Sequence, residues 1–117
     1  FKADTFIVSN GGILMGGIKV CSNGEIIEKI FNSKIQNNNH LLKEESSQSL
    51  NALQTSGVLT NNKLNPFQMD DSIIENVFFT GRNLANWNPS TEFSGEGVSI
   101  ASGWYAANNI AEYIKKK

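Results

Sequence analysis

Apolar residues fall along this chain in short runs closed by glycine, and one long periodic stretch stands near its end. Thr5-Phe6-Ile7-Val8 is β-branched and aromatic, and Ser9-Asn10-Gly11-Gly12 closes it. A continuous apolar run bounded by glycines predicts a strand buried on both faces, as in a parallel sheet. Ile18-Lys19-Val20-Cys21 alternates and predicts an edge or half-exposed strand. Ser22-Asn23-Gly24 carries the Asn-Gly signal of a hairpin turn, so Glu25 to Phe31 is read as the returning strand rather than a short helix. From Asn32 to about Ser49 large apolar groups thin out, predicting a solvated loop in which His40 is a surface imidazole. Gly57-Val58-Leu59-Thr60 reads as a short strand, Asn61 to Pro66 as a turn, and Asp70-Asp71 as a solvated acidic pair. Val77-Phe78-Phe79-Thr80-Gly81 repeats the buried-strand-then-glycine pattern.

The periodic stretch runs from Val98 to Tyr113. Ile100, Gly103, Ala107, Ile110 and Ile114 share one helical face, predicted to lie against a sheet, with the small residues allowing close approach. Ser102, Asn109, Glu112 and Lys115 to Lys117 are predicted toward solvent. Ser94 is the expected N-cap, and Glu96 suits the positive end of the helix dipole. The fold class that follows is α/β, with buried strands, a hairpin and a long C-terminal helix. The chain opens at Phe1 almost directly on a strand, so it is expected to be one portion, residues 1–117, of a longer domain.

Composition narrows the function classes. With 117 residues, ten basic against eleven acidic and a net charge of −1, no broad positive surface is available for nucleic acid. No apolar run reaches the ~20 residues that span a bilayer, and no signal-peptide pattern opens the chain. One cysteine, Cys21, cannot form an internal disulfide and suits a reducing, cytoplasmic setting. With one His and one Cys a zinc site of that type is not expected. The sixteen asparagines fill loops and carry little functional weight. No Ser/His/Asp set, P-loop or G-x-G-x-x-G fingerprint occurs. What remains is a general device: two strands ending at Gly11 and Gly81, then a glycine-flanked helix start at Gly95-Glu96-Gly97-Val98. Free N–H groups of a first helical turn attract anionic or electron-rich ligands, and ligands of open α/β sheets lie beyond the strands' carboxyl ends. Gly11-Gly12 is open to two readings, a turn or a close backbone approach to a ligand.

The segment Glu75 to Arg82, with Trp87-Asn88-Pro89 and Gly95-Glu96-Gly97-Val98-Ser99-Ile100-Ala101-Ser102-Gly103, resembles the C-terminal portion of FAD-dependent flavoprotein dehydrogenases. Within them it resembles the B-subunit family of anaerobic glycerol-3-phosphate dehydrogenase. Phe6 to Gly12 and Gly57 to Asn61 match the family's earlier pieces in order. The resemblance implies part of a Rossmann-like flavin-binding domain, with FAD or FMN as cofactor and Gly11, Gly12, Gly81, Arg82, Gly95, Glu96, Gly97 and Val98 near it. It implies oxidation of glycerol 3-phosphate to dihydroxyacetone phosphate, with electrons passed to quinone. The implied partners are the rest of the flavoprotein chain, a catalytic flavoprotein subunit and an iron–sulfur subunit that anchors the complex to the membrane. Many relatives carry an acid at the position of Arg82, where it bonds a ribityl hydroxyl; a cation cannot accept that bond but can reach a phosphate or carboxylate. Trp87 is placed equally as a wall of the flavin site or as packing under the loop. No catalytic base is assigned. The departure at Arg82 also motivates a second expectation, a non-catalytic interaction or assembly domain that kept the fold and lost the cofactor.

Overall fold

The computed structural model describes residues 2–36, 54–88 and 92–117. His40, the Lys43 to Ser47 stretch and Pro89 lie outside them. Four short strands come first: β1 (Phe6–Val8), β2 (Ile18–Val20), β3 (Ile26–Glu28) and β4 (Val77–Phe79). A 3₁₀ turn, Gly81–Asn83, and a helix, α1 (Gly95–Lys115), follow. The Asn-Gly turn makes the expected antiparallel hairpin, with Val20 opposite Ile26 and Ile18 opposite Glu28. The two runs that end on glycine pair with each other in parallel, Phe6 beside Val77 and Val8 beside Phe79. The predicted strand at 57–60 is reduced to single bridges, Val58 to Ile35 and to Leu84.

Period-two alternation gives β1 and β4 two distinct faces. Val8, Val77 and Phe79 join Ile18, Ile26, Ile35, Val58 and Leu84 in one buried core, with Phe6 packed edge-on against Phe31. Phe78, on the other face, meets Tyr113 of α1 at 6.4 Å between ring centroids. Its sheet partner Ile7 lies 57% exposed, so β1 is not buried on both faces as expected. Buried polar side chains close the gaps that such short strands leave. The Asn65 amide donates to the carbonyls of Glu75 and Val77, and the Asn83 amide donates to Val8 O and Asn10 Oδ1.

The helix meets the body through a face other than the one its periodicity predicts. Ser102 and Ala106 are buried and Asn109 and Tyr113 half-buried, while Ile100, Ala107 and Ile114 are exposed. The cause is what the body presents at that surface: backbone polar groups that need partners. The Gly81 N–H donates to Ser102 Oγ at 2.8 Å, while Tyr105 and Asn109 donate to the carbonyls of Asn62 and Lys63. Ser94 precedes the helix, as expected, but its side chain makes no cap bond; its carbonyl instead accepts the Val98 N–H.

Candidate functional site

Parallel pairing in this register brings the carboxyl ends of β1 and β4 to the same edge. There both strands break on glycine, Gly11 at φ +80° and Gly81 at φ +82°, a left-handed conformation that side chains disfavour. A cleft of about 380 Å³ opens at that edge, lined by Ser9, Asn10, Gly11, Met15, Thr80, Gly81, Arg82 and Ser99. A larger groove of about 510 Å³ lies at the opposite end, between Glu75 and the last turn of α1, where Lys63, Lys116 and Lys117 alternate with Glu75 and Glu112. Mixed charge at the strand's amino end gives a ligand no convergent set of groups. The glycine-edged cleft lies where α/β sheets place their ligands.

The backbone is tight around this cleft. A Cβ on Gly11 would come within 2.4 Å of the Met15 Cβ, and one on Gly12 within 3.1 Å of the Arg82 carbonyl. One on Gly95 would come within 3.0 Å of the Arg82 guanidinium, so Arg82 lies directly against the start of α1. The residues predicted from sequence therefore divide. Gly11, Gly12, Gly81, Arg82 and Gly95 come together, whereas Glu96 and Gly97 are exposed, Val98 is half-buried, and none of those three lines the cleft. Nothing stands within 4 Å of a Cβ on Gly97, and the Gly81 position meets only Ser99 Oγ, at 3.7 Å. Trp87 is half-buried.

Arg82 is exposed, and the two ion pairs found among the described residues join Lys34 to Asp71 and Lys117 to Asp4 instead. A guanidinium held at the positive end of a 21-residue helix is electrostatically unfavourable by itself, and both charges favour an anionic or electron-rich group between them. Ser9, Asn10, Thr80 and Ser99 add hydroxyl and amide groups that sequence reasoning missed. The signal for Ser99 was its place one turn beyond Gly95. That for Asn83 was only its nearness to Gly81, since nothing in the sequence foretells an Asn 1% exposed. Among the described residues no three His, Cys, Asp or Glu side chains group to hold a metal ion, and no helix is long and apolar enough to cross a membrane.

No protein-family model and no solved structure matches the chain. A probable B subunit of anaerobic glycerol-3-phosphate dehydrogenase from Halobacterium salinarum is 30% identical over 116 residues, which cover 97% of this chain and 27% of that protein. The B subunit of anaerobic glycerol-3-phosphate dehydrogenase from Aliivibrio fischeri is 27% identical over 118 residues, covering 97% of this chain and 26% of that protein. The chain thus spans about a quarter of the length of the curated relatives it matches, and along nearly all of its own length it is similar to the B subunit of an anaerobic glycerol-3-phosphate dehydrogenase.

Proposed function

We propose that the chain is part of a flavin-dependent oxidoreductase of the glycerol-3-phosphate dehydrogenase B-subunit family, built as the C-terminal part of a Rossmann-like domain. The observation that carries this reading is the cleft where Gly11, Gly81, Arg82 and the start of α1 converge, in a protein similar to that B subunit over 97% of its length. The residues present fit such a group: Gly11 and Gly81 put no side chain into the cleft they line, and the Arg82 guanidinium and the nearby helix start supply positive potential. When bound, FAD or FMN supplies a two-electron acceptor for oxidation of a secondary alcohol such as that of glycerol 3-phosphate. Arg82 and the first N–H groups of α1 stabilise negative charge at the cleft, in the manner of an oxyanion hole. The left-handed turns at Gly11 and Gly81, open to glycine without steric cost, turn the chain beside the cleft just past the two paired strand ends. Delivery of electrons to quinone through an iron–sulfur partner at the membrane, from a cytoplasmic flavoprotein, belongs to the same proposal.

A second reading is favoured by Arg82 alone. A cation where many relatives place an acid suits a domain that kept its fold as an assembly module without cofactor. The visible spectrum of the protein made from its complete reading frame, with acid-released flavin identified by chromatography, separates the two. Flavin that bleaches on adding glycerol 3-phosphate is the expected result. A folded, colourless protein that takes up no added flavin overturns the proposal in favour of the assembly module.

A further inference from the structure

Asn83 closes the 3₁₀ turn beside the cleft and is 1% exposed, yet the fold alone has little need of its amide. The Asn83 side-chain nitrogen donates to the Val8 carbonyl and to Asn10 Oδ1, each at 3.2 Å. Val8 O already accepts the Thr80 N–H at 3.0 Å, so it keeps a partner without Asn83. Asn83 Oδ1 is buried and accepts no hydrogen bond among the described residues. A buried acceptor without a donor costs stability, and a leucine would fill a similar volume without that cost. What the Asn83 amide supplies that no other group does is its bond to Asn10.

Asn10 is exposed where it lines the cleft, and an exposed amide ordinarily turns about its last torsion. Here its two arms are distinguished. The Val8 carbonyl fixes which arm of Asn83 is nitrogen, and the second N–H of that nitrogen fixes which arm of Asn10 is oxygen. Gly17 lies against the same oxygen: a Cβ there would come within 2.6 Å of Asn10 Oδ1. With Oδ1 engaged, Nδ2 is the arm without a partner among the described residues, and it carries two N–H donors. Arg82 lines the same cleft and likewise offers donors and no acceptor.

We propose that Asn10 binds the ligand of this cleft by donating its side-chain N–H groups to an anionic oxygen, and that Asn83 is the positioning residue that holds the Asn10 amide in that direction. The identity of the ligand rests on the flavin reading above; the direction of the amide rests on the cleft's own geometry. The same arrangement accounts for a polar side chain buried at position 83 and for a glycine at 17, whose bare backbone leaves room for Asn10.

The longer protein made from the complete reading frame, stripped of any flavin, is titrated with FAD by fluorescence and with inorganic phosphate by calorimetry. Asn10→Ala is expected to raise the FAD dissociation constant about tenfold. Asn83→Leu leaves the Val8 carbonyl to Thr80. It is expected to raise the constant several-fold by itself and to add nothing in a protein that already carries Asn10→Ala. An Asn10→Ala constant equal to that of the unmodified protein overturns the proposal. So does an Asn83→Leu effect that adds in full to that of Asn10→Ala, since Asn83 then acts on the fold and not through Asn10. If Asn83→Leu does not fold, Asn10→Asp decides, because it keeps an oxygen for the Asn83 N–H and replaces the donors by a second oxygen. Its loss of FAD affinity is expected to exceed that of Ser9→Asp, which brings the same charge to the same cleft, and equal losses overturn the direction given to the amide. FAD binding that ignores the Asn10 variants leaves the flavin reading standing and removes this one. No FAD uptake, with phosphate binding that weakens in the same pattern, does the reverse, and a protein that takes up neither overturns both.

Discussion

Replacing Glu28 with Ala tests how so small a core is held. Glu28 ends β3 and is 1% exposed, and its carboxylate accepts the N–H groups of Ile30 at 2.6 Å, Phe31 at 2.9 Å and Ser33 at 3.2 Å. It acts as an internal cap that turns the chain away from the hairpin. A hydrogen bond to a charged group contributes about 1.5–3 kcal/mol net, and a buried donor left without its partner costs a similar amount. Ile30 is more than half exposed and its N–H can turn to water. Counting only Phe31 and Ser33 gives a loss of about 3–6 kcal/mol, large beside the ~5–15 kcal/mol of a whole domain. In urea, with a slope of roughly 1–3 kcal/mol per molar, the midpoint is expected to fall by about 1 M or more. Glu28→Gln keeps one oxygen for Phe31 and Ser33 but sets its amide against the Ile30 N–H, so its loss is expected to be smaller. A Glu28→Ala midpoint unchanged at constant slope would refute the reasoning and show that water satisfies this turn.

Five further outcomes are expected. Ser102→Ala removes the acceptor of the buried Gly81 N–H; it should cost about 1–3 kcal/mol by thermal unfolding and speed amide exchange at Gly81. Gly57→Ala sets a Cβ 2.3 Å from the Leu84 carbonyl oxygen, backbone against backbone, and should cost about 3 kcal/mol or more. Gly103→Ala, with nothing within 4 Å, should stabilise the 117-residue chain by up to about 1 kcal/mol, and equal effects at the two glycines would refute the packing. The Ser72 hydroxyl and N–H donate to Asp70 and hold its carboxyl below its ordinary value of 3.8. A depressed carboxylate contributes stability above its unfolded pKa and loses it as pH falls through the folded one, so Ser72→Ala should move the Asp70 titration, followed by NMR, back upward. Arg82→Asp places an acid at the helix start and should lower flavin retention in the longer protein without lowering its melting temperature; tighter retention would count against the role given to Arg82.

Sequence periodicity located β1 to β4 and the hairpin because each run is short, apolar and punctuated by glycine. It also placed the ends of β1 and β4 on one side, since two fully apolar strands followed by glycine suit parallel neighbours. It misjudged the orientation of α1. Hydropathy ranks Ser102 and Asn109 as solvent-facing, yet the body offers an unpaired N–H and carbonyls there, and hydrogen-bond demand decided the contact. Glu28, Asn65 and Asn83 were illegible for the same reason. A buried polar side chain is justified by backbone groups that only the fold brings near it. The candidate site was legible in its glycines, which local backbone conformation requires. Its lining by Ser9, Thr80 and Ser99 comes from three separate elements and needs the parallel register to assemble.

That register also governs the order of events as the chain is made. The hairpin closes across a few residues, but Phe6 must wait for Val77. Closing a loop about ten times longer costs about 2 kcal/mol more in chain entropy before any contact repays it. At roughly 5–20 residues per second of synthesis, Phe6-Ile7-Val8 leaves the ribosome about 4–14 s before its partner strand exists. During that interval a β-branched, aromatic strand stands without its β4 partner, and an unpaired edge of that kind is where strands from different chains find one another. Any chaperone demand of this chain, and any aggregation on overexpression, should therefore trace to its first ten residues and be relieved by a charge at Ile7 sooner than by stabilising the finished fold.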